Sequence, residues 1–227
     1  MKKVLQLFFG ILFFSAGFAQ QKQTIQFVER ENGTAVFGGM GIHLVAAPSL
    51  TDYINRIAIS TQRADDFVTA VEFFGGIELP INEEWGIKAE HSYLFKSYDV
   101  AAGAAGNYQL NYDVHAPSIL LQRVYSGKGY FFKISGGGGY HFAHGNEKLS
   151  IAGLDNNFSA KGIGMRFEIN GQTAFDEYLF GYISGVTGWE FLGALADEQK
   201  NKPAFFNEQK RLNYFFAGLR FGLIYYF

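Results

Sequence analysis

Five histidines, one run that joins an acid, a histidine and a hydroxyl, and one glycine run are the places where this chain could do chemistry. Glu90-His91-Ser92 puts an acid, a base and a hydroxyl in consecutive positions, the materials of an activated nucleophile. On a β-strand, however, His91 faces away from both neighbours, so the three cannot act together. His141 and His144 are three residues apart, which is one face on a helix but opposite faces on a strand, and a metal needs convergent ligands. His43 and His115 fall on other segments. The four glycines 136–139 lack the Lys-Ser/Thr that ends a phosphate loop. With no cysteine there is no thiolate or disulfide chemistry. No catalytic, cofactor-binding or metal-binding set is therefore expected. What remains is a pattern of charges at alternate positions: Glu72, Glu78, Lys88, Glu90, Lys133, Arg166, Glu168 and Arg220. Four are acids and four are bases, which reads as a salt-bridged interior in which Arg220, Arg166 and Lys133 pair with Glu168, Glu72, Glu90 or Asp113. Glu78 is expected diagonal to Lys88.

The elements that position these charges are strands. In residues 213–227, Phe215, Ala217, Leu219, Phe221, Leu223, Tyr225 and Phe227 share one face, while Arg220 sits on the other among glycines and aromatic rings. An apolar outer face and a polar inner one is what a strand needs between lipid and a lumen. The same alternation predicts strands at 34–46, 67–79, 85–95, 107–124, 130–142, 158–170 and 178–192. Glycines at 38, 39 and 41 leave the facing of the first strand open. In the fourth, Tyr108, Leu110, Tyr112, Val114 and Ala116 are read as outward and Gln109, Asn111, Asp113 and His115 as inward. A bulge at Ala116–Pro117, with a switch of facing, is expected because proline cannot donate to the ladder. Between the first two strands, Leu50, Tyr53, Ile54 and Ile57 recur at helical spacing, with Ser49 and Asp52 as a capping pair. Aromatic girdles are read at Trp85, Tyr130, Tyr178, Tyr225 and Phe227 on one side and Phe67, Phe95, Tyr108, Phe142, Phe191 and Phe215 on the other.

The N-terminus carries Lys2 and Lys3, an apolar run over residues 4–14 and small residues before Gln20. This is a secretory signal peptide cleaved between Ala19 and Gln20. The run is shorter than the roughly 20 residues of a spanning helix. The organisation is a signal peptide at 1–19, a periplasmic lead-in at 20–33 and a barrel at 34–227. Losing Lys2 and Lys3 makes the mature chain two units more negative than the −2 of the whole, which argues against nucleic acid as a partner. The 28 glycines and 25 phenylalanines suit many closely packed, twisted strands. Long connections alternate with short turns, the habit of membrane barrels. The fold expected is all-β: an eight-stranded antiparallel up-and-down transmembrane β-barrel with a short helix in its first external loop. Eight strands leave a lumen that side chains can fill.

With its signal peptide, eight alternating segments and a last strand ending Tyr225-Tyr226-Phe227, the chain resembles the small outer-membrane β-barrels typified by the transmembrane domain of outer membrane protein A. The Ala19-Gln20 junction resembles those of Bacteroidetes-type bacteria. The resemblance implies residence in the outer membrane, contact with its lipid, and recognition of the terminal strand (Phe221, Leu223, Tyr225 and Phe227) by the barrel-assembly machinery. It implies no cofactor. A non-enzymatic barrel with a closed lumen and external loops for structural or surface contacts is the expected function. Its rivals are a narrow pore or small-ligand conduit, a lipid-modifying enzyme, and a soluble ligand-binding barrel.

Overall fold

The computed structural model describes residues 32–58, 65, 67–149, 153–197 and 211–227. The signal-peptide reading, with Ala19 and Gln20, lies outside them, as does most of the lead-in. The eight strands are β1 (Ala35–Ala46), β2 (Val68–Pro80), β3 (Trp85–Ala101), β4 (Asn107–Gly127), β5 (Tyr130–Leu149), β6 (Leu154–Ala174), β7 (Leu179–Ala194) and β8 (Arg211–Tyr226). Each pairs antiparallel with the next, and β1 pairs with β8 to close the barrel. Helix α1 (Pro48–Ile57) follows β1. Closure leaves no free strand edge, which matters for a sheet in a medium that cannot hydrogen-bond to it.

One face of every strand looks outward, and below the upper ends of β3 to β6 that face is apolar. Met40, Phe73, Ile119, Ile134, Phe167, Ile183 and Phe221 are among the large hydrophobic side chains left exposed. β1, whose glycines hide its phase in the sequence, turns its even-numbered residues outward and buries Phe37, Gly41, His43 and Val45. Gly41 lies between Glu72 of β2 and Arg220 of β8 in the ladders. Having no side chain there lets the two charged groups meet across β1.

Strands β3 to β6 have 17 to 21 residues each, against 12 and 13 in β1 and β2. A tilted strand crosses a bilayer in about 9–11 residues, so these four run well beyond one. There the chemistry inverts while the geometry does not. Above Phe95, Pro117, Phe142 and Ile163 the outward residues become Ser97 and Asp99 on β3, and Gln109, Asn111, Asp113 and His115 on β4. His144 and Lys148 follow on β5, and Asp155, Ser159 and Lys161 on β6. The inward residues become Tyr98, Val100, Tyr108, Leu110, Tyr112 and Val114, all buried. This corrects the facing expected for β4. The sequence reading assumed lipid outside along the whole strand; above the belt the outside is polar, and the apolar residues turn inward. Tyr108 is accordingly an interior residue and not part of the girdle.

Pro117 also behaves differently from expectation. Ala116, Pro117 and Ser118 have no partners on β5, but His115↔Phe142 and Ile119↔Gly138 keep one register across the gap. The ladder is interrupted without a bulge, and facing does not switch: Ala116 and Ser118 are buried and Pro117 is exposed.

The upper interior is an apolar core completed by α1. Leu50, Tyr53, Ile54 and Ile57, at the spacing of one helix face, pack with Val45, Leu94, Tyr98, Leu110, Phe158, Leu212 and Phe216. Pro48 starts the helix, a position where its fixed φ and missing N–H cost nothing. Ala47 is the N-cap, with no side-chain hydrogen bond, so the Ser49–Asp52 capping pair does not form. Tyr53 donates to Glu147 Oε1 at 2.5 Å, and Tyr108 donates to the same atom at 2.9 Å. That carboxylate pins the helix to the wall. The lower interior is aromatic: Phe37, Phe74, Phe131, Phe180, Tyr182 and Tyr226 pack with Ile224 and Val124.

Candidate functional site

Between these two apolar layers lies a charged waist. Arg220 of β8 is fully buried and reaches three carboxylates. Its Nε and Nη2 donate to Glu72 at 2.7 Å each, the bidentate fork that a guanidinium makes with a carboxylate. Its Nη1 and Nη2 donate to Glu90 at 3.0 and 2.9 Å, and Nη1 to Glu168 at 2.9 Å. The guanidinium also lies 4.6 Å from the Phe74 ring centre. Lys88 donates to Glu168 and to Tyr182 Oη at 2.9 Å and lies 2.8 Å from Glu90. Arg166 donates to Glu90 and to Ser92 and sits 3.3 Å from Glu72. Lys133 donates to Glu78 and to Tyr226 Oη, and Gln122 completes the Glu78 shell at 3.1 Å.

All eight charges singled out from the sequence are therefore buried in the lumen, each beside an opposite charge. Two details differ from expectation. Glu78 and Lys88 are direct cross-strand partners, yet their side chains diverge to Lys133 and to Glu168. Asp113, offered as an acceptor, lies on the outer wall. Burying this many charges is favourable only if every lone pair and proton is satisfied, because desolvation costs several kcal/mol per ion. The network pairs every one of these charges, leaving Arg166 Nε without a hydrogen-bond partner, and does so through non-neighbouring strands: β8 to β2, β3 and β6, and β3 to β6. Chain closure alone brings these partners together.

His43, Glu190 and Glu147 belong to the same interior and were not assigned there from sequence. His43 lies 2.7 Å from Glu72. Glu190 sits at an even position of β7, in phase with Phe180, Tyr182 and Ser184, and the alternation there would have found it.

Glu190 takes part in an arrangement that looks catalytic. Ser118 Oγ is 3.0 Å from His141 Nε2, and His141 Nδ1 is 2.6 Å from Glu190 Oε2. These are the contacts of a hydroxyl, base and orienting acid. The surroundings argue for a packing role. All three side chains are buried, and a methyl group on neighbouring Gly164 would collide with His141 and Glu190. A substrate carbonyl would need that space and oxyanion donors as well. The backbone N–H groups of a closed sheet face along its ladders and not into the lumen. The Glu90-His91-Ser92 run is split as alternation requires: Glu90 and Ser92 are buried and His91 is exposed.

The histidines read as scattered are partly gathered. His91, His115 and His144 lie on one outward patch of β3, β4 and β5 with Asp113, and His115 faces out, not in. On β8, Phe221, Leu223, Tyr225 and Phe227 all face outward and are exposed.

An apolar belt around a fully charged centre is the reverse of a water-soluble barrel, and it defines a barrel built to be surrounded by lipid. Comparison with solved structures places the fold among the small outer-membrane β-barrels. Neisserial surface protein A is similar with a TM-score of 0.51 and 10% identity, over 88% of this chain and 100% of that one. The Yersinia pestis attachment invasion locus protein Ail matches at a TM-score of 0.48, 11% identity and 87% and 100% coverage. OprG of Pseudomonas aeruginosa matches at 0.48, 15% identity and 89% and 99% coverage. No family model and no curated protein sequence matches.

Proposed function

We propose that this chain is an integral outer-membrane β-barrel that neither conducts nor catalyses, and that it acts through the extended rim and loops above the belt. The single observation that carries this reading is Arg220, fully buried at the waist and shared by three carboxylates. A conducting lumen would keep such groups in water; this one ties them to each other, with α1 filling the mouth above and an aromatic layer below. The rim supports a contact role because four strands project their polar outer faces beyond the belt. The outward aromatic residues of β8, ending at Tyr225 and Phe227, support recognition by the barrel-assembly machinery as in the barrels typified by outer membrane protein A.

The test is direct. The folded protein in planar bilayers should show no stepwise conductance and should fractionate with the outer membrane, with heat-dependent gel mobility. Regular unitary conductance steps would sink the closed-lumen reading. The Ser118–His141–Glu190 contacts favour one rival, hydrolysis of a lipid or peptide. Unchanged lipid mass spectra between Ser118→Ala and wild-type cells would dispose of the lipid branch.

A further inference from the structure

Asp113 of β4 stands directly opposite His144 of β5 in the ladder, and His115 is two residues along β4 on the same outer face. Directly opposed and i, i+2 neighbours on one face are the closest side-chain pairs a sheet offers. Asp113 Oδ2 is 3.5 Å from His144 Nδ1 and 3.7 Å from His115 Nε2. The three ligating atoms all lie within 4.8 Å of one another. Hydrogen bonds of this kind fall at about 2.7–3.2 Å, so these contacts are too long to be good ones. They lie close to the edge of a ligand tetrahedron around an ion, about 3.3–3.4 Å for bonds of about 2.0–2.1 Å.

We propose that Asp113, His115 and His144 bind a single transition-metal ion of the Zn²⁺ type on the outer wall, just above the apolar belt. Two imidazoles and one carboxylate are a donor set for Zn²⁺, Co²⁺ or Ni²⁺; Ca²⁺ and Mg²⁺ take oxygen ligands. His91 is the positioning residue. Its Nε2 lies 3.4 Å from His115 Nδ1. In the tautomer with its proton on Nδ1, towards His91, His115 turns its Nε2 lone pair to the carboxylate, an arrangement of two acceptors that a cation resolves. The Tyr93 ring, 4.9 Å from His115, fixes the imidazole from below. Three protein ligands leave a fourth position for water. Asp113 and His144 also border a surface depression of about 460 Å³, lined by Phe95, Tyr112 and Phe158 as well as by Ser97, Asn111 and Asn146, which leaves room for that water.

The experiment is calorimetric titration of ZnCl₂ into tag-free, EDTA-treated barrel in detergent, with Co²⁺ visible absorption as a second readout. A saturable one-to-one isotherm and Co²⁺ d–d bands are expected. The His115→Ala/His144→Ala double variant should lose both while keeping its heat-dependent gel shift, which shows that it still folds. His91→Ala should weaken binding by about tenfold to a hundredfold, the usual effect of losing an outer hydrogen-bond partner. Absence of saturable Zn²⁺ binding to the wild type, undiminished binding by the double variant, or displacement of Zn²⁺ by an equal concentration of Mg²⁺ would each overturn the proposal.

Discussion

At the level of Arg220 the lumen is filled from the wall itself: β2, β3, β6 and β8 supply two arginines, a lysine and three glutamates that reach across the barrel axis. Higher up the wall supplies apolar and tyrosine side chains and one carboxylate, Glu147, and the space is closed by a separate element, α1, held by packing and by the Tyr53–Glu147 hydrogen bond. Both levels are buried. The waist is specified by directional contacts that exist only when all eight strands are in register. The mouth is specified by area and tolerates an element that arrives after the barrel has closed. The waist should therefore unfold with the barrel, whereas the mouth can open without it.

The sharpest way to break that contrast is Arg220→Leu. Removing one member of a buried ionic network strands the others, at a cost of about 3–5 kcal/mol. Urea titration of the folded barrel in detergent should show a lower midpoint of that size, and Glu72→Leu in the same chain should recover part of it. A variant as stable as wild type would mean that the waist is not a cooperative unit.

Legibility in the sequence follows the same division. The inward charges could be read from alternation alone, because within the belt the two surroundings, lipid and lumen, are constant along each strand. Which charge meets which could not, since Arg220 and Glu168 are partners through closure and not through neighbouring ladders. Above the belt the outer solvent changes, and alternation alone gives β4 between Tyr108 and Ala116 the reverse of its true facing, because polar residues there read as luminal. Phase in β1 was hidden by Gly38, Gly39 and Gly41, which carry no hydrophobic signal. The Ser118–His141–Glu190 contact spans β4, β5 and β7, so no spacing in the chain announces it.

The mouth is tested by Ile54→Ala. Ile54 is fully buried on the inner face of α1. Cavity formation there costs about 2–5 kcal/mol in a rigid core. Because α1 can detach, hydrogen exchange should rise in α1 and the upper ends of β3 and β4 while the lower strands stay protected. Equal loss of protection at the waist would show the two levels to be one unit.

A smaller effect is expected from Gly41→Val. A methyl at this position would come within 2.8 Å of His43 Nε2, 3.0 Å of Arg220 Cγ and 3.2 Å of Glu72 Oε2. Two extra methyl branches overpack the gap over which Arg220 and Glu72 meet, at about 1–3 kcal/mol. The loss should appear as a lower urea midpoint without any change in the exchange of α1.

The smallest effect separates the two levels by pH. Tyr98, in the part of β3 that extends above the belt, packs in the mouth, and burial pushes its phenol up to about 12. Exposed tyrosines titrate near about 10. A phenol whose folded value is raised favours the fold fully below its unfolded value of about 10, and that contribution is lost as pH rises through the folded value of about 12. Burial holds Tyr108 and Tyr112 in the same mouth higher still, so absorbance at alkaline pH should show a step at about 12 between the exposed group and these later phenols, and Tyr98→Phe should remove that step. Loosening of α1, followed by exchange or by protease cutting within the first loop, should begin above about pH 10 and be weaker in Tyr98→Phe. If the step at about 12 keeps its full amplitude in Tyr98→Phe, it belongs to another residue, and Tyr98 is not shielded by α1 in the way its place in the mouth requires.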